Sequence, residues 1–165
     1  MPLTAQAVLQ ELQRAGIDFV VSVPDSMTKG LYAALAVHKE VRLIPVAREE
    51  EGMGVCAGLY VGGRRPALLI QNTGVFAAVN SLRALGLGYQ VPVLLLVGLL
   101  GREPQVAPRD SANPLVRLTG PQLDLLKIPH DLLEDDAQVG LVGAAVDEAW
   151  REGRPHAILI GEQVK

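Results

Sequence analysis

Apolar positions change period repeatedly along this chain, and those changes outline an architecture. From Thr4 onward, Ala7, Val8, Leu12 and Ala15 recur at helical spacing, and Gly16 stands where that helix should end. Residues 17–23 are then almost continuously apolar, rich in β-branched side chains and stopped by Pro24, the pattern of a strand covered on both faces. The alternation continues with a helix over 27–38, a strand over 42–46, a helix over 49–61, a strand over 67–71, a helix over 75–87 and a strand over 92–98. After Gly101 the pattern lapses: Pro104, Pro108 and Pro114 among Arg and Asp residues predict a long surface loop over 101–117. A shorter tail follows, with a helix near 122–126, a strand over 130–133, a helix over 138–150 and a last strand over 157–160.

Repeated β-α-β predicts an α/β fold: three αβα layers around a mainly parallel sheet of about six strands, built as a single domain over 1–165. Ligands of such sheets bind in the crevice beyond the carboxyl ends of the strands. Four polar segments fall there: Pro24-Asp25-Ser26, Arg48-Glu49-Glu50-Glu51, Gln71-Asn72-Thr73-Gly74 and Gly101-Arg102-Glu103.

The composition, 49% hydrophobic and 20% charged, is too apolar for a disordered chain and leaves room for an apolar interface. A formal charge of -3 gives no electrostatic reason to bind nucleic acid. The most apolar stretch, 91–101, is too short to cross a membrane and is interrupted by Pro92 and Gly98. A single cysteine, Cys56, excludes an internal disulfide, and the start of the chain lacks the basic and apolar regions of a secretory signal, so a cytoplasmic location is expected.

Glu49, Glu50 and Glu51 open a helix, where carboxylates complement the helix dipole. One of them turned inward, beside Met53, Val55 and Cys56, would suit proton exchange, and the pattern alone does not choose among the three. The run Gly52-Met53-Gly54-Val55-Cys56-Ala57 has the shape of a dinucleotide loop, but it lies inside a helix behind three carboxylates; close helix packing by Gly52, Gly54 and Gly58 is expected instead. Ser26-Met27-Thr28-Lys29 lacks the companion motifs of serine acyl-enzymes, so Asp25 or Ser26 is expected to cap a helix. His38, His130 and His156 stand apart, which leaves no metal-ligand spacing.

Taken together, Val23-Pro24-Asp25-Ser26, Arg48-Glu49-Glu50-Glu51-Gly52 with Cys56-Ala57-Gly58-Leu59-Tyr60, Gln71-Asn72-Thr73-Gly74 and Gln90-Val91-Pro92-Val93-Leu94 resemble the pyrimidine-binding domain of the sulfopyruvate and phosphonopyruvate decarboxylases. The resemblance spans residues 4–161 and implies a thiamine diphosphate (ThDP)-dependent 2-oxo acid decarboxylase that yields an aldehyde and CO2. In that family a glutamate hydrogen-bonds N1' of the aminopyrimidine ring. Setting the pattern Glu-x-Gly against Tyr60 selects Glu50, with Glu51 the alternative one residue along. The resemblance further implies cofactor contacts from Asn72, Thr73 and Gly74, an acid-base role for Asp25, and substrate contacts from Ser26, Lys29, Asn72, Arg102 and Arg109, with Arg83 a further cation near the rim. Pyruvate decarboxylases read Val-Pro-Gly-Asp at the first loop, whereas here the acid comes one position earlier, which leaves Ser26 as the alternative occupant of its place.

Relatives hold Mg2+ and the diphosphate through a Gly-Asp-Gly sequence. This chain has no Gly-Asp pair, so the resemblance implies a separate diphosphate-binding beta subunit that holds the metal, in a hetero-oligomer or with homodimerisation through the pyrimidine domain. The competing expectation is a non-catalytic pyrimidine-type domain acting as a binding or regulatory subunit.

Overall fold

The computed structural model describes residues 2–165. Strands β1 (Phe19–Ser22), β2 (Arg42–Pro45), β3 (Pro66–Gln71), β4 (Leu94–Gly98), β5 (His130–Leu133) and β6 (His156–Ile160) form one sheet in the order β2-β1-β3-β4-β6-β5. Every neighbouring pair is parallel, so each connection must cross over the sheet, and helices make the crossings. These are α1 (Ala5–Arg14), which precedes the sheet, then α2 (Lys29–Val37), α3 (Glu49–Val61), α4 (Asn72–Ala77), α5 (Val79–Ser81), α6 (Pro114–Leu125) and α7 (Gly140–Glu152).

Period-2 alternation divides the core in two. Val20, Leu69, Leu94, Leu96, Ile158 and Ile160 pack with Leu12, Leu31, Val142 and Val146 beneath α1, α2 and α7. Val21, Leu68, Ile70, Leu95, Val97 and Leu159 pack on the other face with Met53, Cys56, Val75 and Leu123 from α3, α4 and α6. The three-layer, parallel, six-stranded expectation is therefore met.

Three local expectations differ. The loop predicted to reach residue 117 ends earlier, because Pro114 opens α6: its missing N–H would have no helical partner there, and the Asn113 side chain caps the Leu115 N–H at 3.0 Å. Asn72, Thr73 and Gly74, which lie between the predicted strand over 67–71 and the predicted helix over 75–87, are already the first turn of α4. The helix predicted over 75–87 is broken after Ala77 and continues beyond α5 as a wider π-helical turn, Leu82–Gly88, in which Gly86 lies so close to Pro155 that a Cβ would stand 2.6 Å from its Cγ.

Candidate active site

The chain leaves β1 for β2 on one side and β3 for β4 on the other, so the switch point of this sheet lies above the carboxyl ends of β1 and β3. The Pro24–Thr28 loop arrives there from β1, the start of α4 from β3, and the start of α3 from β2.

Helical geometry sends the three glutamates of α3 in three directions. Gly52, Met53 and Cys56 are the buried residues of this helix, and Glu49 lies on the same face, three, four and seven residues before them. It is half-buried against the first turn of α4, so close that a Cβ at Gly74 would stand 2.5 Å from its Cγ and 2.9 Å from its Oε1. Glu50 points outward, its nearest cation being Arg48 at 3.9 Å, and its side chain is 43% exposed. Glu51 reaches back to accept the Ala47 N–H at 3.0 Å and so ties down the entry to α3. Of the three glutamates, Glu49 is the one that lies against Gly74 in the first turn of α4. The sequence pattern did not choose among the three, and the spacing to Tyr60 selected Glu50, one residue further on and about 100° around the helix from Glu49.

The glycines of this helix also separate. Gly52 is needed for packing, since a Cβ there would stand 2.7 Å from Leu68 Cδ1, but Gly54 and Gly58 face open space, which corrects the expectation of close packing for all three. Cys56 is buried under the same helix, its thiol 3.8 Å from the Ala67 carbonyl, and burial pushes its pKa above the usual thiol range. It is an inert core residue rather than a nucleophile.

Asn72 is fully buried at the start of α4. Its Nδ2 donates to the Leu100 carbonyl at 3.4 Å, while its Oδ1 is buried with no partner. An unpaired buried acceptor is costly, and a bound group with an N–H or O–H donor is one way to relieve it. Thr73 Oγ1 donates to Gln71 Oε1 at 3.1 Å in an exposed setting.

Asp25 is pinned by its own loop. Its Oδ1 accepts the Met27 N–H at 2.6 Å, and its Oδ2 accepts the Thr28 hydroxyl. Thr28 precedes α2 without a side-chain cap of its own, so Asp25 organises the turn rather than capping the helix directly. The pinned carboxylate rests on the end of β4, where a Cβ at Gly98 would stand 3.2 Å from Oδ1. Ser26 and Lys29 are exposed beside it.

The arginines differ in their surroundings. Arg102 is committed to structure: its side chain is 4% exposed, Nη2 pairs with Glu134 at 2.9 Å, and Nη1 donates to the carbonyls of Glu103 and Val106. These contacts hold the loop that follows β4 in place. Arg109 is exposed, with Asp110 at 4.0 Å, and lines a separate cleft of about 550 Å³ with Pro108, Arg117, Gly120 and His130 along β5, away from the β1–β3 crevice. Arg83 donates to Asn80 Oδ1 at 2.8 Å on the surface.

The histidines remain apart, with His156 buried between Asp131 at 2.9 Å and Glu148 at 3.4 Å. Among the described residues no three His, Cys, Asp or Glu side chains gather into a metal-binding group. No helix among them is long and apolar enough to cross a membrane.

The fold is an α/β domain on a parallel sheet, with a half-buried carboxylate and a buried amide oxygen without a partner near its switch point. Residues 3–115 match the model of the thiamine pyrophosphate enzyme, N-terminal TPP binding domain, and the chain belongs to that family. It is 37% identical over 127 residues, 76% of this chain and 74% of the relative, to the sulfopyruvate decarboxylase subunit alpha of Methanococcus maripaludis. To the protein of the same description from Methanothermobacter thermautotrophicus it is 32% identical over 158 residues, 95% of this chain and 94% of the relative. A phosphonopyruvate decarboxylase from Streptomyces hygroscopicus matches at 26% over 164 residues, 98% of this chain but 41% of that protein.

Proposed function

We propose that this chain is the alpha subunit of a two-chain, ThDP-dependent 2-oxo acid decarboxylase acting on sulfopyruvate or phosphonopyruvate in the cytoplasm. The observation that carries this reading is Glu49, the one carboxylate of its helix turned toward the switch-point crevice.

ThDP, when bound, supplies the electron sink for loss of CO2. Glu49 would hold and exchange a proton with the aminopyrimidine nitrogen, a role for which its place on the inner face of α3 is favourable and the outward Glu50 and the tethered Glu51 are not. Asn72 Oδ1 offers the unpaired acceptor that would orient an N–H or O–H of the bound ligand, with Thr73 and Gly74 forming the adjoining wall. Asp25 holds the loop above β4, and its fixed carboxylate would face the reacting end of the substrate. Ser26 and Lys29 remain as this chain's groups for the anionic tail, because Arg102 is spent on Glu134 and Arg109 lies along β5.

The residues therefore fit the pyrimidine end of the cofactor. The diphosphate and Mg2+ are assigned to a partner subunit with a Gly-Asp-Gly motif, since this sequence has no Gly-Asp pair. The test is turnover of sulfopyruvate, phosphonopyruvate and pyruvate by the chain co-purified with that partner, with ThDP and Mg2+, comparing Glu49→Gln with Glu50→Gln. Loss of turnover in Glu49→Gln alone supports the reading; a stable complex that turns over no 2-oxo acid supports the regulatory alternative.

A further inference from the structure

Beyond β6 the chain does not leave the rim. Residues 161–165 run back between the starts of α1 and α2, where Val164 is 1% exposed and packs in the same core as Leu3 and Leu31. The Val164 N–H donates to the Met27 carbonyl at 3.0 Å, the Lys165 N–H to the Leu3 carbonyl at 3.1 Å, and the Lys165 carbonyl accepts the Ala5 N–H at 2.7 Å. Gln163 Nε2 donates to the Ser26 carbonyl at 3.1 Å. The segment is seated so closely that a Cβ at Gly30 would stand 2.5 Å from the Val164 carbonyl oxygen, a backbone atom that cannot swing aside.

Met27 is the meeting point. Its carbonyl receives Val164, its N–H donates to Asp25 Oδ1 at 2.6 Å, and its Cβ lies 2.9 Å from where a Cβ at Gly98 would stand. A displacement of Val164 therefore reaches the Asp25 carboxylate through one residue, without passing through the sheet. The Ser26–Thr28 turn belongs to no helix or strand, so fixing it costs chain entropy that these long-range contacts offset.

We propose that Gln163 and Val164 are positioning residues for the substrate: the 161–165 strap holds the Ser26–Met27 backbone, and through it Asp25, in register with the end of β4. This rests on the reading above that the Asp25 loop faces the 2-oxo acid. The strap itself touches neither cofactor nor substrate.

The test uses the complex of this chain with its diphosphate-binding partner, in wild type, Gly30→Ala and Gln163→Ala forms. Amide hydrogen exchange, thermal midpoint, kcat and KM for the 2-oxo acid are read for each. In Gly30→Ala the amides of Met27 and Thr28 should exchange faster while the strands keep their protection, and KM should rise roughly tenfold with kcat held within about twofold. Gln163→Ala, which removes one exposed side chain and leaves the core intact, should move KM and loop exchange in the same direction by less; it decides the matter if Gly30→Ala fails to fold.

A merely structural strap would lower the thermal midpoint or the active fraction, and so kcat, with KM unchanged. That result, or unchanged loop exchange in both variants, overturns the inference. A wild-type complex that turns over no 2-oxo acid overturns the functional reading and this inference with it, whereas active wild type with unaltered variants overturns the inference alone.

Discussion

Helices α1 and α3 flank opposite faces of one sheet, yet their outer sides are made differently. α1 buries Ala5, Val8, Leu9 and Leu12 and turns Gln6, Gln10 and Arg14 to solvent, a stripe against a polar back. α3 buries Gly52, Met53 and Cys56 but leaves Gly54, Gly58 and Val61 open, with Val61 83% exposed. The contrast extends to the layers. Beside α3, the segments on that face expose Tyr89, Leu118 and Leu125, while Val37 is the only large hydrophobic exposed on the α1, α2 and α7 side among the described residues. One layer presents a polar back to solvent; the other leaves apolar groups open, and it is the layer that carries Glu49.

The contrast is sharpened most by the chemistry assigned to the α3 layer. Glu49→Gln is expected to lower kcat of the assembled complex by at least about 100-fold, whereas Glu50→Gln stays within a few-fold, both measured at saturating ThDP. Gly74→Val tests the same carboxylate from outside: the added side chain displaces Glu49, and turnover should drop by roughly one to two orders of magnitude while circular dichroism stays native. Similar kcat values for Glu49→Gln and wild type would break the link between the exposed layer and catalysis.

Stability and association should separate the two helices next. Leu12→Ala, in the layer with the polar back, is expected to cost about 2–5 kcal/mol in urea unfolding and leave partner affinity alone. Val61→Asp should cost the isolated chain less than about 0.5 kcal/mol yet weaken association with the partner subunit by about tenfold or more in a titration.

The smallest effect concerns Cys56. Burial keeps its thiol protonated above the ordinary value of about 8.5, so above that pH the folded chain retains a proton that the unfolded chain releases. Its contribution to stability is complete below that value and declines as pH rises past it. Urea midpoints at pH 7 and pH 10 should show a decline that is smaller in Cys56→Val.

Much of this was legible in the sequence, for physical reasons that differ by region. The strands were readable because sheets buried on both faces demand continuous apolar runs such as Leu94 to Val97. The rim followed from the alternation, since parallel crossovers put all strand ends on one side. Pro114 misled because proline ends one element as readily as it begins another, and only the Asn113 cap distinguishes the cases. Among the glutamates the apolar pattern chose none and motif spacing favoured Glu50, whereas in the folded helix it is Glu49 that lies against Gly74. The partners of Arg102, Glu134 and the carbonyls of its own loop, were not legible, because they come together only when the chain is folded.

That buried arginine has a practical meaning for the proline-rich arch that follows β4. Arg102 fixes one foot of the arch; the other is fixed where Ser111 Oγ donates to Glu103 Oε2 at 2.5 Å and Arg117 Nη1 donates to the Ser111 carbonyl at 2.7 Å. With both feet held, the crown around Arg109 is the part left accessible to a protease. Trypsin should therefore nick the folded chain at Arg109 before Arg102 or Arg117, giving two fragments that stay together because β4 and β6 remain paired across the cut.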